Sequence, residues 1–177
     1  MEILLRDIYM MILKELGACF VFVAVLGIVS HVLGESIDRD SIQFEKSPFA
    51  PYRWESEGRF YKKLRIESWK KALPDKSRFV RTMVRKSIED NRSSEHLKCL
   101  IEETCVAELV HWLLLLVGQL LRLFSESAVG VVASILYSLS NVPFIMIQRY
   151  NRPRLVALYQ KTLVREALTY ENANLIQ

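Results

Sequence analysis

The residues with the clearest chemical potential stand in Glu102-Glu103-Thr104-Cys105-Val106-Ala107-Glu108-Leu109-Val110-His111-Trp112, where a charged segment gives way to an apolar one. At about 100° per residue on a helix, Thr104, Glu108 and His111 fall within an arc of roughly 60°. Cys105 is rotated well away from His111, so no Cys–His dyad is implied. An imidazole one turn from a carboxylate suits general-base work on a hydroxyl, with His111 taking the proton and Glu108 orienting or polarising the ring. Ionisable groups at the edge of lipid are costly to keep, which favours a functional reading. The plainer alternative is that His111 caps or pairs inside a helix bundle.

A second polar cluster, Gln148-Arg149-Tyr150-Asn151-Arg152-Pro153-Arg154, follows the next apolar run. Here Arg149, Arg152 and Arg154 could hold the anionic part of an acyl donor, and Gln148 or Asn151 could donate to a developing oxyanion.

The elements that must position these groups are written in the composition. The 177 residues are 51% hydrophobic, with a net charge of +4 and a mean hydropathy of +0.14. The middle of the chain is nevertheless crowded with Lys, Arg, Asp and Glu. That split describes an integral membrane protein with one sizeable polar loop. The basic excess is interleaved with acids and points to anionic lipid headgroups before nucleic acid. No zinc-finger spacing or RNA-binding signature supports a nucleic-acid partner. Cys19, Cys99 and Cys105 form no CxxC pair and read as buried or reduced thiols.

Four segments follow. Residues 1–34 hold an amphipathic or interfacial start and then an apolar run from Leu16 to Leu33, long enough with the preceding residues to span a bilayer. The apolar residues lie mostly after Cys19 and charges precede it, the wrong order for a lipoprotein cleavage site. Residues 35–100 form a polar loop. Within it, Phe60, Tyr61, Leu64, Ile66, Trp69 and Leu73 recur at helical spacing between basic residues, which predicts interfacial helices ended by Pro74-Asp75. Phe79 to Ile88 reads as a second basic amphipathic piece. Glu89 to Ser94 reads as a loop and the cap of the next helix.

Residues 101–155 contain two apolar runs, Leu109–Phe124 and Ala128–Ile147, separated by Ser125-Glu126-Ser127 and best read as a transmembrane hairpin. Pro153 pushes Arg152 towards extended backbone and predicts a helix break there. Residues 156–177 then form a terminal amphipathic helix. The loop and tail are rich in Lys and Arg, which places both in the cytoplasm and the N-terminus outside, with three spans.

Four chemistries compete for this arrangement. Acyl transfer uses His111 as base. A di-iron site would use Glu108-x-x-His111 but needs a second copy of that pattern, which the chain lacks, so no metal is expected. A methyltransferase or reductase would need a phosphate-binding loop that is also missing. The last is a non-catalytic lipid-binding or scaffolding membrane protein, for which arginines and aromatic residues at a membrane face are ordinary anchors.

Glu103-Thr104, Ala107-Glu108-Leu109 and His111-Trp112, then Asn141 and Pro143, then Ile147 to Leu155, resemble the glycosyl-diaponeurosporenoate acyltransferases. Phe60-Tyr61, Leu64, Ile66, Trp69-Lys70 and Leu73-Pro74-Asp75 are similar to that family as well, so the resemblance runs from about Phe60 to Leu155. One departure is Cys105-Val106, where the family pattern has basic residues. The resemblance implies an enzyme that esterifies the sugar of a glycosylated C30 carotenoid acid with a fatty acyl chain, the closing step of staphyloxanthin assembly. The roles of His111 and Glu108 come from spacing and membrane position alone.

The expectation is therefore an all-α integral membrane protein of the cell membrane, multi-pass, with about three transmembrane helices and amphipathic cytoplasmic helices. His111 and Glu108 are the candidate catalytic residues. Gln148, Arg149, Asn151, Arg152, Arg154, Thr104, Glu103 and Trp69 are the candidate substrate-binding residues. No cofactor is expected beyond the acyl donor, an acyl-CoA or acyl-carrier protein. The lipid bilayer, a glycosylated lipid acceptor and a further copy of the chain complete the expected partners.

Overall fold

A computed structural model of the chain describes residues 2–70, 93–123 and 127–175. The expected features at Leu73-Pro74-Asp75, Phe79–Ile88, Glu89–Arg92 and the Ser125-Glu126 turn lie outside the described residues. Among those described, every regular element is helical. The α-helices are α1 (Glu2–Ser36), α2 (Arg59–Lys63), α3 (Ile66–Trp69), α4 (Ser94–Val117) and α5 (Ala128–Leu175), with 3-10 segments at Arg53–Gly58 and Gly118–Leu123. Among the described residues two stretches are long and apolar enough to cross a membrane, Leu5–Ser36 and Ala128–Asn174.

Glu2–Ser36 forms one continuous helix, because neither proline nor a turn sequence interrupts it. Glu2 favours the positive end of that helix's dipole. The apolar run from Leu109 continues α4 and then tightens into the 3-10 segment Gly118–Leu123. It is not among the two span-length helices, since Glu102, Glu103 and Glu108 stand in α4.

One expectation changes at Pro153, which does not break α5. Proline in a helix interior removes one backbone hydrogen bond and costs about 3 kcal/mol, and its neighbour Arg152 is disfavoured in the α region. That cost is offset locally. Arg152 is buried and its guanidinium donates to Thr104 Oγ1, Thr104 O and Phe49 O, which holds the backbone at 152 in the helical course. The terminal amphipathic helix is thus the continuation of α5 rather than a separate element.

The chain divides into two compact units, residues 1–37 with 106–145 and residues 38–105 with 146–177. In the first, α1 packs on the 3-10 segment Gly118–Leu123, and the α4–α5 end of the unit is joined through small and polar residues. Ser134 Oγ donates to Gly118 O at 2.9 Å and Gln119 Nε2 donates to Ser138 Oγ at 2.6 Å. Gly118 permits this approach, since a Cβ there would lie 2.7 Å from Tyr137 Cδ1 and 2.8 Å from Ser138 Oγ. Small residues and interhelical hydrogen bonds are how helices associate where lipid removes the hydrophobic drive between them. Most of the large apolar side chains of α1, Phe20, Ile28 and Val32 among them, are exposed.

The second unit has a small core of Tyr61, Ile66 and Tyr150, with Trp69, Met146 and Ile147 against it. The amphipathic run from Phe60 forms two short helices, α2 and α3. It is divided at Leu64-Arg65, where Arg65 adopts a left-handed backbone conformation (φ 52°). The turn sinks Ile66 completely into the core, and Trp69 Nε1 donates back to Leu64 O at 3.0 Å. Helix α4 starts as expected: Ser93 Oγ accepts from His96 N–H at 3.3 Å, the bond of an N-cap. The Ser94 amide donates to the Glu166 carboxylate at 2.9 Å.

Candidate functional site

In the first unit His111 is held by α5. Its Nδ1 lies 3.0 Å from Asn141 Oδ1, and its ring stacks on Phe144 with centroids 4.7 Å apart and planes 8° from parallel. The direction of the hydrogen bond follows from its neighbour. Asn141 Nδ2 donates to Tyr137 O at 2.9 Å, so Oδ1 is the atom that faces His111 and His111 Nδ1 must carry the proton. The lone pair is then on Nε2. A neutral histidine with a fixed tautomer and a fixed ring plane is the form a general base needs.

Glu108 is buried one turn earlier on α4 and accepts from Trp112 Nε1 at 3.4 Å. No hydrogen bond joins it to His111; the orienting partner is Asn141. In the sequence Asn141 stands out only as part of the family pattern. Its signal was a lone amide inside an apolar stretch, seven residues before Gln148.

In the second unit the arginines of α5 organise a buried polar network. Arg149 engages Glu55 in a two-pronged ion pair, Nε to Oε1 at 2.5 Å and Nη2 to Oε2 at 2.9 Å. It also donates to Pro48 O and Ala50 O, and its guanidinium lies 4.5 Å from the Tyr52 ring centroid. Glu55 takes two more hydrogen bonds, from the Tyr61 hydroxyl and from the Tyr52 amide. Both charges are almost fully buried, at 2% and 7% exposure, so the pair stands only because every acceptor site is used.

Burial alone would raise the Glu55 pKa, but the hydrogen bonds from Arg149, Tyr61 and Tyr52 outweigh it and hold the carboxyl below its ordinary range. Burial and the Glu55 carboxylate push the Tyr61 phenol well above its ordinary value. Sequence reasoning missed Glu55 and gave Tyr61 a place only in the amphipathic pattern and the family resemblance. The available signal was an acid set among the aromatic residues Tyr52, Trp54, Phe60 and Tyr61, but Glu57 stands there as well and sequence does not choose between them.

The other expected substrate residues fall in this unit too. Thr104 is buried, donates to Ile101 O and accepts from Arg152. Glu103 pairs with Arg39 at 2.9 Å on the surface. Gln148 and Asn151 are half-buried. Arg154 differs from its two neighbours: it is about half exposed, pairs with Glu67 at 2.8 Å, and lines an open groove of about 420 Å³ with Phe44, Pro51, Pro153 and Val156. Among the described residues no cluster of His, Cys, Asp and Glu could hold a metal ion.

Among the described residues, fold and site show an all-helical arrangement with two helices long and apolar enough to cross a membrane and an oriented imidazole. The sequence pattern of glycosyl-4,4'-diaponeurosporenoate acyltransferases matches residues 45–161. A glycosyl-4,4'-diaponeurosporenoate acyltransferase of Staphylococcus haemolyticus is 32% identical over 123 residues, covering 68% of this chain and 71% of that one. Two from Staphylococcus aureus strains are 32% and 31% identical, each covering 62% of this chain and 67% of their own. The chain belongs to the glycosyl-4,4'-diaponeurosporenoate acyltransferase family. No solved structure matches it.

Proposed function

We propose that this chain esterifies a sugar hydroxyl of a glycosylated carotenoid acid with a fatty acyl group. What carries the reading is the family match over residues 45–161, which includes His111 and Asn141. Membership of an acyltransferase family favours it over a non-catalytic lipid-binding or scaffolding role.

In this reading His111 Nε2 accepts the proton of the acceptor hydroxyl as its oxygen attacks the acyl carbonyl of a thioester donor. The new O–C bond forms, the C–S bond breaks, and the imidazolium returns the proton to the departing thiolate. Asn141 keeps Nδ1 protonated through the cycle, so the ring cannot turn its lone pair away from the acceptor. Glu108, buried one helical turn from His111, is the second catalytic candidate, placed to polarise the ring. Because Arg149 and Arg152 are engaged inside their own unit, their part is to hold the segment 48–55 and Thr104 in place. Arg154 is the exposed arginine of this segment and the one left to meet an anionic ligand.

The apolar run from Leu109 is read as a third crossing beside the two span-length helices, with the basic segments in the cytoplasm. The exposed apolar surface of α1 supports a lipid environment, since water would make so large a surface costly.

The test is lipid mass spectrometry of cells supplied with a glycosylated carotenoid acid and expressing the wild type or His111→Ala. An acylated glycolipid that appears with the wild type alone supports both reaction and base. A different acylated species keeps acyl transfer and removes the carotenoid acceptor. No new acylated lipid removes the function.

A further inference from the structure

The corner between α2 and α3 gathers more positive charge than the fold uses. Lys62, Arg65, Ile66, Glu67, Ser68 and Tyr150 line a pocket of about 350 Å³. Among the described residues neither Lys62 nor Arg65 has an acidic partner. Two further cations lie against the Tyr150 ring: Lys70 Nζ is 5.0 Å from the centroid and the Arg154 guanidinium 4.1 Å. The one acid here is Glu67, which occupies Arg154 and is itself 65% exposed. Four cations therefore surround one carboxylate.

Two features show that the corner is built rather than incidental. Arg65 holds a left-handed backbone conformation (φ 52°, ψ 39°), which side-chain-bearing residues avoid unless their surroundings enforce it. Ser68 Oγ closes the turn by donating to Arg65 O at 2.7 Å. The second feature is Tyr150. Its side chain is 1% exposed, and its hydroxyl and the Arg154 guanidinium both turn to the Glu67 carboxylate. Buried hydroxyls are almost always satisfied, so donors closed in this way on one exposed carboxylate are laid out for an anion.

We propose that this pocket binds a phosphate group, with Lys62, Arg65, Lys70 and Arg154 around it and the Tyr150 hydroxyl donating to it. Glu67 stands in for the anion when the pocket is empty and gives up Arg154 when it fills. The source is a phosphate of the acyl donor, a point that rests on the acyl-transfer reading; the anion site itself does not. A guanidinium and ammonium set suits phosphate better than carboxylate, because a phosphate offers three strong acceptor oxygens and greater charge.

The experiment uses the full chain in phosphatidylcholine nanodiscs, titrated with coenzyme A in one arm and with soluble dihexanoyl-phosphatidylglycerol in the other. The variants are Lys62→Ala with Arg65→Gly, which removes two charges while glycine keeps the left-handed turn, and Glu67→Gln, which removes the competing carboxylate. The expected result is coenzyme A binding that weakens on the order of tenfold or more in the double variant and tightens several-fold in Glu67→Gln. If only the short-chain lipid shows that pattern, the site stands and its phosphate comes from a headgroup. If neither probe responds to the substitutions, there is no phosphate site, and a donor KM unmoved in the double variant would leave acyl transfer intact without it. Wild type that binds coenzyme A but acylates no glycolipid sinks the proposed function and leaves the site.

Discussion

Asn141 Oδ1 lies 3.0 Å from His111 Nδ1, and it is an amide rather than a carboxylate that fixes the ring. A neutral partner sets the tautomer without adding charge beside the base. His111→Ala should lower kcat about 100- to 10,000-fold, the usual worth of a general base, with little change in unfolding temperature. Asn141→Ala removes one orienting hydrogen bond, worth about 1 kcal/mol, and should cost on the order of fivefold. Turnover assays on both purified variants check this, and equal losses would mean that Asn141 does more than orient the ring.

The Glu55–Arg149 pair makes a separate prediction for stability. Removing either partner strands a buried charge, so Glu55→Ala or Arg149→Ala should destabilise the unit by about 3–5 kcal/mol. Arg149→Lys should fail to rescue, since an ammonium cannot span both Glu55 oxygens and also reach Pro48 O and Ala50 O. The apolar double variant Glu55→Met/Arg149→Leu should recover part of the loss. Thermal unfolding in detergent gives the ordering, and a stable Arg149→Ala protein would contradict a structural role for the pair.

The same pair sets an acid limit. The Glu55 carboxyl is held below its ordinary value of 4.5 in the folded chain, so its contribution is complete above that value and is lost as pH falls through the folded one. The Tyr61 phenol, pushed above its ordinary value of 10.0, contributes fully below that value and loses the contribution as pH rises further. Trp54 stacks within 6.2 Å of Tyr52 and meets Phe60 edge-on at 5.1 Å, so tryptophan fluorescence should follow the acid transition. Glu55→Gln should flatten it; a transition that survives unchanged belongs to another carboxylate.

How much of this was legible in the sequence depends on the distance over which each interaction acts. The helical class and the start of α4 at Ser93-Ser94 follow from apolar runs and a local cap, and both were readable. So was the family, because its residues are strung along the chain in order. The break at Arg65 was not, because it depends on Ile66 reaching a core that includes Tyr150, more than eighty positions away. The continuous helix through Pro153 was hidden for a related reason: local preference argues for a break, and Thr104 and Phe49 overrule it through Arg152. Arginines next to an apolar run invite a ligand in sequence, but only coordinates reveal that Glu55 takes one of them.

Gly118 offers a last test, confined to the unit of residues 1–37 and 106–145. An added methyl would meet the Tyr137 ring at 2.7 Å and the Ser138 hydroxyl at 2.8 Å, both closer than packed atoms allow. Tyr137 can give way only by turning its ring. Ser138 is held by Gln119, and Ser134 by the carbonyl of Gly118 itself, so the two segments must part and take those bonds with them. Gly118→Ala should therefore cost about 1–3 kcal/mol, the range for overpacking a close contact, and Gly118→Val more. Ser134→Ala, which loses one hydrogen bond and adds no bulk, should cost about 1 kcal/mol or less. Thermal unfolding of the three variants in detergent should rank them in that order. A Gly118→Ala protein as stable as the wild type would mean that the close approach of Gly118 to Tyr137 and Ser138 does not hold this unit together.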